Sequence, residues 1–123
     1  MESVFTSKAG NPIGPYSQAM IHNGLVYTSG QIGMTSEGNL LSTLEDQTHQ
    51  IFKNLTAILH AAGSSPEKII RSNIYLLNMA DFAEVNLLYQ KFVSEPFPAR
   101  STIEVRRLPK DALIEIDVIA TQT

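Results

Sequence analysis

The stretch "FPARSTIEVRRLPKDALIEIDVIA", residues 97–120, carries the two side chains best suited to chemistry, Arg100 and Glu115. It reads as two strands joined by a polar turn. Arg100 stands at the mouth of the first strand, after Pro96 and Pro98, which hold the chain extended. Its guanidinium offers a planar fork for a carboxylate. Glu115 interrupts "ALIEIDVIA", a run otherwise fit for a core, where a charge is costly unless it is paired, wet or useful. If the two strands are neighbours, the side chains converge near one sheet edge. Two readings are open from the residues alone: an Arg–Glu ion pair at an interface, or an Arg100 fork that holds a carboxylate.

The remaining charged groups give less. Asp117 shares a face with Glu115, which permits a paired-carboxylate site, although a salt bridge or an exposed rim accounts for it as well. Arg106 and Arg107 are adjacent and point to opposite faces of a strand, so they form no common fork. A solvated turn with an ion pair to Glu104 or Asp111 is expected there. Of the three histidines, His22 sits beside a turn, while His49 and His60 are three helical turns apart, too far to share a metal. All three are expected on the surface. No metal-binding, phosphate-loop or dinucleotide fingerprint is present, so neither a metal nor a cofactor is expected.

Composition narrows the class further. The 123 residues suffice for one domain with its own core, and 43% apolar with 17% charged residues marks a globular chain. A net charge of −3 lacks the basic footprint of a nucleic-acid binder. No apolar run is long enough to span a bilayer. The start "MESVFTSKAG" has no apolar signal region, and there is no cysteine for disulfide or thiolate chemistry. A cytoplasmic location is the expectation.

The elements that must position Arg100 and Glu115 follow from pattern. Ser3–Ser7 is a possible first strand. "SQAMIHNGLVYTSG" predicts two strands around an Asn23-Gly24 hairpin turn. "STLEDQTHQIFKNLTAILHAAG" is a helix with a Ser42/Glu45 capping box, an apolar stripe through Leu44, Ile51, Leu55, Ile58, Leu59 and Ala62, and Gly63 as its stop. "KIIRSNIYLL" is a strand, and Asn78 caps a second helix with Phe82, Val85, Leu88, Tyr89 and Phe92 on one side. The order is β-β-β-α-β-α-β-β, an α+β fold whose six-stranded mixed sheet carries two helices on one face.

Two helices cover only one face of such a sheet. Yet Ile69, Tyr75 and Leu77 alternate with Ile70, Ile74 and Leu76, and Leu113 and Ile119 lie opposite Ile114, Ile116 and Val118. Apolar residues on both faces require cover for the second, and a partner subunit is the expected source.

With these blocks in view the chain resembles the RidA (YjgF) family of reactive intermediate deaminases. The matching stretches are "IGPYSQA" (13–19), "YTSGQIG" (27–33), "VNLLYQKF" (85–92) and "FPARSTIEVRRLPKDALIEID" (97–117), in order and nearly end to end. The resemblance implies a chorismate-mutase-like fold, with three subunits joining their sheets into a closed barrel and clefts between subunits. It implies hydrolysis of enamines and imines, such as 2-aminoacrylate released by pyridoxal-phosphate enzymes, to 2-keto acids and ammonia without a cofactor. By the same resemblance Arg100 clamps the substrate carboxylate, Glu115 activates the attacking water and Tyr16 closes over the substrate. Ser29 and Gly30 line the pocket, and Asn86 supports the cleft wall. At Thr102 the family often has cysteine whose backbone contacts the ligand; a backbone role survives that change and a thiol role does not. A non-catalytic, keto-acid-binding regulatory trimer is the alternative, with an RNA-directed role third and disfavoured by the acidic balance.

Overall fold

A computed structural model describes residues 1–123. Four strands come first: β1 (Glu2–Val4), β2 (Ala19–His22), β3 (Leu25–Thr28) and β4 (Gln31–Ile32). Helix α1 (Leu44–Ala61), strand β5 (Ile69–Leu76), helix α2 (Phe82–Phe92) and strands β6 (Ala99–Glu104) and β7 (Ile114–Thr121) complete the chain. The sheet runs β1-β2-β3-β7-β5-β6, with β4 paired to β7 beside β3. Only the β5–β6 pair is parallel. The six expected strands are thus present in a mixed α+β sheet. A seventh, the two-residue β4, lies in "SGQIG", where flanking glycines hide so short a strand.

Local chemistry explains the boundaries. Asn23 and Gly24 both take positive φ (51° and 77°), as a two-residue hairpin turn requires. Helix α1 is capped one residue later than the expected Ser42/Glu45 box. Thr43 is the extended residue, and its Oγ1 accepts the Asp46 N–H at 3.1 Å. Its far end closes as anticipated. Gly63 (φ 78°) lets its own N–H reach the His60 carbonyl while the Ser64 N–H reaches that of Leu59, satisfying two orphan carbonyls. Strand β1 stops short of the expected Ser7, because Gln18 takes over the backbone at Thr6. Its Oε1 accepts the Thr6 N–H at 2.7 Å, and its Nε2 donates to the Thr6 carbonyl at 3.0 Å.

The helices cover one sheet face, burying Ile74 and Leu76 of β5 and Ile114, Ile116 and Val118 of β7 against Ile51, Leu55, Ile58 and Leu59 of α1. From α2, Val85 and Tyr89 join this core, and Phe92 stacks on Phe52 with centroids 4.2 Å apart. Ile70 does not share the face of Ile74, against expectation. A bulge between Ile69 and Arg71 reverses the alternation, so Ile69 is buried and Ile70 exposed. The opposite face carries Tyr27, Tyr75, Ile103, Leu113 and Ile119 and has no cover from this chain; Tyr27 and Ile103 are 41% and 48% exposed. No helix is long and apolar enough to cross a membrane.

Candidate active site in two halves

Strand register decides where the two key side chains point. Arg100 pairs with Ser72 of β5, which in turn pairs with Val118 of β7, and both partners are buried toward the helices. Arg100 therefore lies on the helix side. Its guanidinium carbon sits 5.1 Å from the Tyr89 ring centroid and 5.4 Å from that of Phe82, both from α2. Glu115 pairs with Tyr75 on the uncovered face. Two strand spacings across and three residues along put the Cα atoms roughly 14 Å apart, with side chains on opposite faces. Within one chain Arg100 and Glu115 neither converge nor form an ion pair, because the alternation of the strands sends them to different sides.

Each anchors its own cavity. Around Glu115 a cavity of about 410 Å³ is lined by Tyr16, Gly30, Gln31, Pro109 and Lys110, among others. Lys110 of the lining and Asp111 next to it hold positive φ (56° and 58°), an unfavourable conformation for residues with a Cβ. Glu115 is half-buried, and no donor on the chain reaches its carboxylate. Burial first, and the negative charge of Asp117 second, raise its proton affinity above the usual carboxylate range. Gly30 creates the space for it: a Cβ at this position would stand 2.5 Å from Oε2. Tyr16 is half-exposed, and its hydroxyl accepts the Ile13 N–H at 3.2 Å.

The second cavity, about 370 Å³, is lined by Asn86, Tyr89, Gln90, Phe97, Pro98 and Arg100. No carboxylate pairs with Arg100, so its fork is held by aromatic rings and left open. The Tyr89 hydroxyl donates to the buried Ser72 Oγ at 2.8 Å, fixing the ring beneath it. Thr102 lies two residues on, on the same face, with its buried Oγ1 free of any hydrogen-bond partner.

Of the expected site residues, Tyr16, Gly30 and Glu115 thus gather in one half and Asn86 and Arg100 in the other, with Thr102 beside the second. Ser29 lines neither cavity. Its hydroxyl donates to the Ser17 carbonyl at 2.6 Å and its N–H to that of Gln18, tying the Tyr16 segment to β3. Asp117 is neither in a salt bridge nor a bare rim residue, since Asn73 and Tyr75 donate to it at 2.8 and 3.0 Å. Arg107 pairs with Asp111 at 2.9 Å on the surface as anticipated, whereas Glu104 instead accepts the Met79 N–H. Sequence reasoning missed the Phe82–Tyr89 seat under Arg100. The seven-residue spacing of these rings on one side of α2 was the available signal.

The Endoribonuclease L-PSP family model matches residues 6–122. Reactive Intermediate Deaminase A of Arabidopsis thaliana (chloroplastic) is 46% identical over 98% of this chain and 65% of its own length. A 2-iminobutanoate/2-iminopropanoate deaminase of Dermatophagoides farinae is 42% identical over 94% of this chain and 92% of its own. The crystal structure of E. coli TdcF with bound serine superposes with a TM-score of 0.94 at 34% identity, covering all of both chains. With this family model matching nearly the whole chain, its mixed sheet and these relatives, the chain belongs to the RidA (YjgF) family.

Proposed function

We propose that this protein is a deaminase that hydrolyses 2-imino acids and their enamine tautomers to 2-keto acids and ammonia. The observation that carries the reading is the pair of complementary half-sites: an unpaired Arg100 fork, and a half-buried Glu115 with no donor on its carboxylate. Arg100 suits the substrate carboxylate, bound two-pronged above aromatic rings. Glu115, with raised proton affinity, suits the removal of a proton from water. Water adds its oxygen to the carbon of the protonated imine as Glu115 takes one of its protons, giving a neutral carbinolamine. Glu115 then returns that proton to the nitrogen, and collapse to the ketone expels ammonia as the hydroxyl proton passes back to Glu115 and on to solvent. Holding carboxylate and water on one scaffold makes the attack effectively intramolecular. Serine, the ligand of the E. coli relative, likewise carries a carboxylate next to a nitrogen-bearing carbon.

One chain separates the two halves, so the site needs a second subunit. A trimer whose sheets close into a barrel would cover Tyr27, Ile103 and Ile119 and bring the Arg100 cavity of one subunit to the Glu115 cavity of its neighbour. The net charge of −3 gives no support to an RNA-directed role.

The direct test couples a pyridoxal-phosphate dehydratase that releases the imine to keto-acid detection, with light scattering on the same sample. Acceleration over the uncatalysed hydrolysis by a trimer is expected. Keto-acid binding without acceleration would replace the deaminase by a regulatory binder, and an active monomer would refute the divided site.

A further inference from the structure

Asp117 stands two residues beyond Glu115 on β7, on the same uncovered face, roughly 7 Å away along the strand. Both of its carboxylate oxygens are held from β5. Asn73, directly across, donates Nδ2–H to Oδ1 at 2.8 Å, and Tyr75, which is paired with Glu115 itself, donates its hydroxyl to Oδ2 at 3.0 Å. The arrangement fixes a negative charge in place while leaving Glu115 without a donor. Tyr75 is directed away from Glu115 by this bond, so a phenol that stands opposite the candidate base does not bond to it.

We infer that Asp117, clamped by Asn73 and Tyr75, is a positioning residue that acts through Glu115, strengthening it as a base by a fixed like charge. The inference rests on the deaminase reading for its catalytic consequence, but not for the coupling between the two carboxylates. A nearby negative charge favours the protonated form of a carboxyl group and so raises its appetite for a proton. The raised proton affinity of Glu115 has Asp117 as its second cause after burial, and that of Tyr75 is raised by burial and then by Asp117. The other charged or titratable groups near Glu115 are Lys110 and Tyr16 of the cavity lining, with Arg71 further along β5. Arg71 donates to Ser101 Oγ at 2.9 Å and forms no ion pair with either carboxylate.

The experiment titrates the Glu115 carboxyl carbon by 13C NMR in the assembled protein, assigned with Glu115→Gln, alongside the pH profile of imine hydrolysis. In Asp117→Asn, which keeps the shape, the Glu115 midpoint should move down. The acid limb of kcat/KM should follow it to lower pH, and the plateau should fall about two- to five-fold as the base weakens. The exchange variant Asn73→Asp/Asp117→Asn returns the charge to the cluster from the other strand and should restore the raised midpoint; it also serves if the single variant folds poorly. Tyr75→Phe keeps the Asp117 charge, so the midpoint should stay raised. An unchanged midpoint in Asp117→Asn, with activity falling only as Tm falls, would overturn the inference and leave Asp117 a structural ladder residue. Absence of imine hydrolysis in the wild type would refute the deaminase reading instead, while the titration would still decide the coupling.

Discussion

Under the proposed mechanism, the two glycines on either side of β4 separate catalysis from stability. A Cβ on Gly30 would lie 2.5 Å from Glu115 Oε2, 2.7 Å from Cδ and 3.1 Å from Cγ, all atoms of one flexible side chain. Unstrained contact needs about 3.5 Å, so in Gly30→Ala the carboxylate retreats by about 1 Å. Turning a half-buried side chain out of its preferred rotamer costs about 1 kcal/mol. A misplacement of that size at a reacting group costs about 100-fold in rate. At Gly33 the same methyl would stand 2.3 Å from the Cα of Gln47, in the first turn of α1, where only backbone can yield. Gly33→Ala should therefore lose about 3 kcal/mol of stability. Thermal melts and imine-hydrolysis rates on both variants make the comparison. Gly30→Ala with near wild-type activity, or with a Tm loss matching that of Gly33→Ala, would refute the claim that Gly30 exists to seat Glu115.

Arg100→Lys keeps the charge but loses the fork; activity should drop by about 100-fold, mostly in KM, with the assembly state and Tm near wild type. Loss of Tm in proportion to activity would make Arg100 structural. Glu115→Gln should abolish most of kcat while leaving binding of a keto acid such as pyruvate unchanged or tighter, read by calorimetry. The same variant tests the sign of the pH effect. Because Glu115 has its proton affinity raised in the fold, the stability it supports is full below the usual carboxylate range and is lost as pH rises through the raised value. The Tm of Glu115→Gln should therefore gain on that of the wild type as pH rises from the usual carboxylate range through the raised value. Thr43→Ala removes the cap on Asp46 N–H and should cost about 1 kcal/mol, whereas Ser42→Ala should be silent, as denaturant melts would show.

The elements were legible wherever one residue type does one local job. Asn23-Gly24, the α1 stripe and Gly63 each act within a few positions, and each reads directly. The cap at Thr43 was blurred because Ser42 and Thr43 are both competent, and only backbone dihedrals choose between them. The bulge at Ile69–Arg71 was invisible, since it answers to pairing with β7 and leaves no mark in a run of isoleucines. Glu115 was found by its cost, a charge in a strand fit for a core, and Arg100 by its place at the mouth of a strand behind two prolines. Their opposite facing was not, because it depends on β5 being inserted between β6 and β7 in register. The pairing of Asp117 with Asn73 and Tyr75 joins residues more than forty positions apart and has no local signature.

If the site is divided between the subunits of a trimer as proposed, the placement of Arg100 and Glu115 on opposite faces also has a genetic consequence. A subunit with a damaged fork and one with a damaged base would each be inactive alone, yet each would carry the half the other lacks. Expressed together in equal amounts, Arg100→Lys and Glu115→Gln chains in a trimer would rebuild about one intact site in four. Two null alleles would then complement. A chain carrying both substitutions would behave in the opposite way, spoiling the sites it shares with two healthy neighbours and acting as a dominant poison.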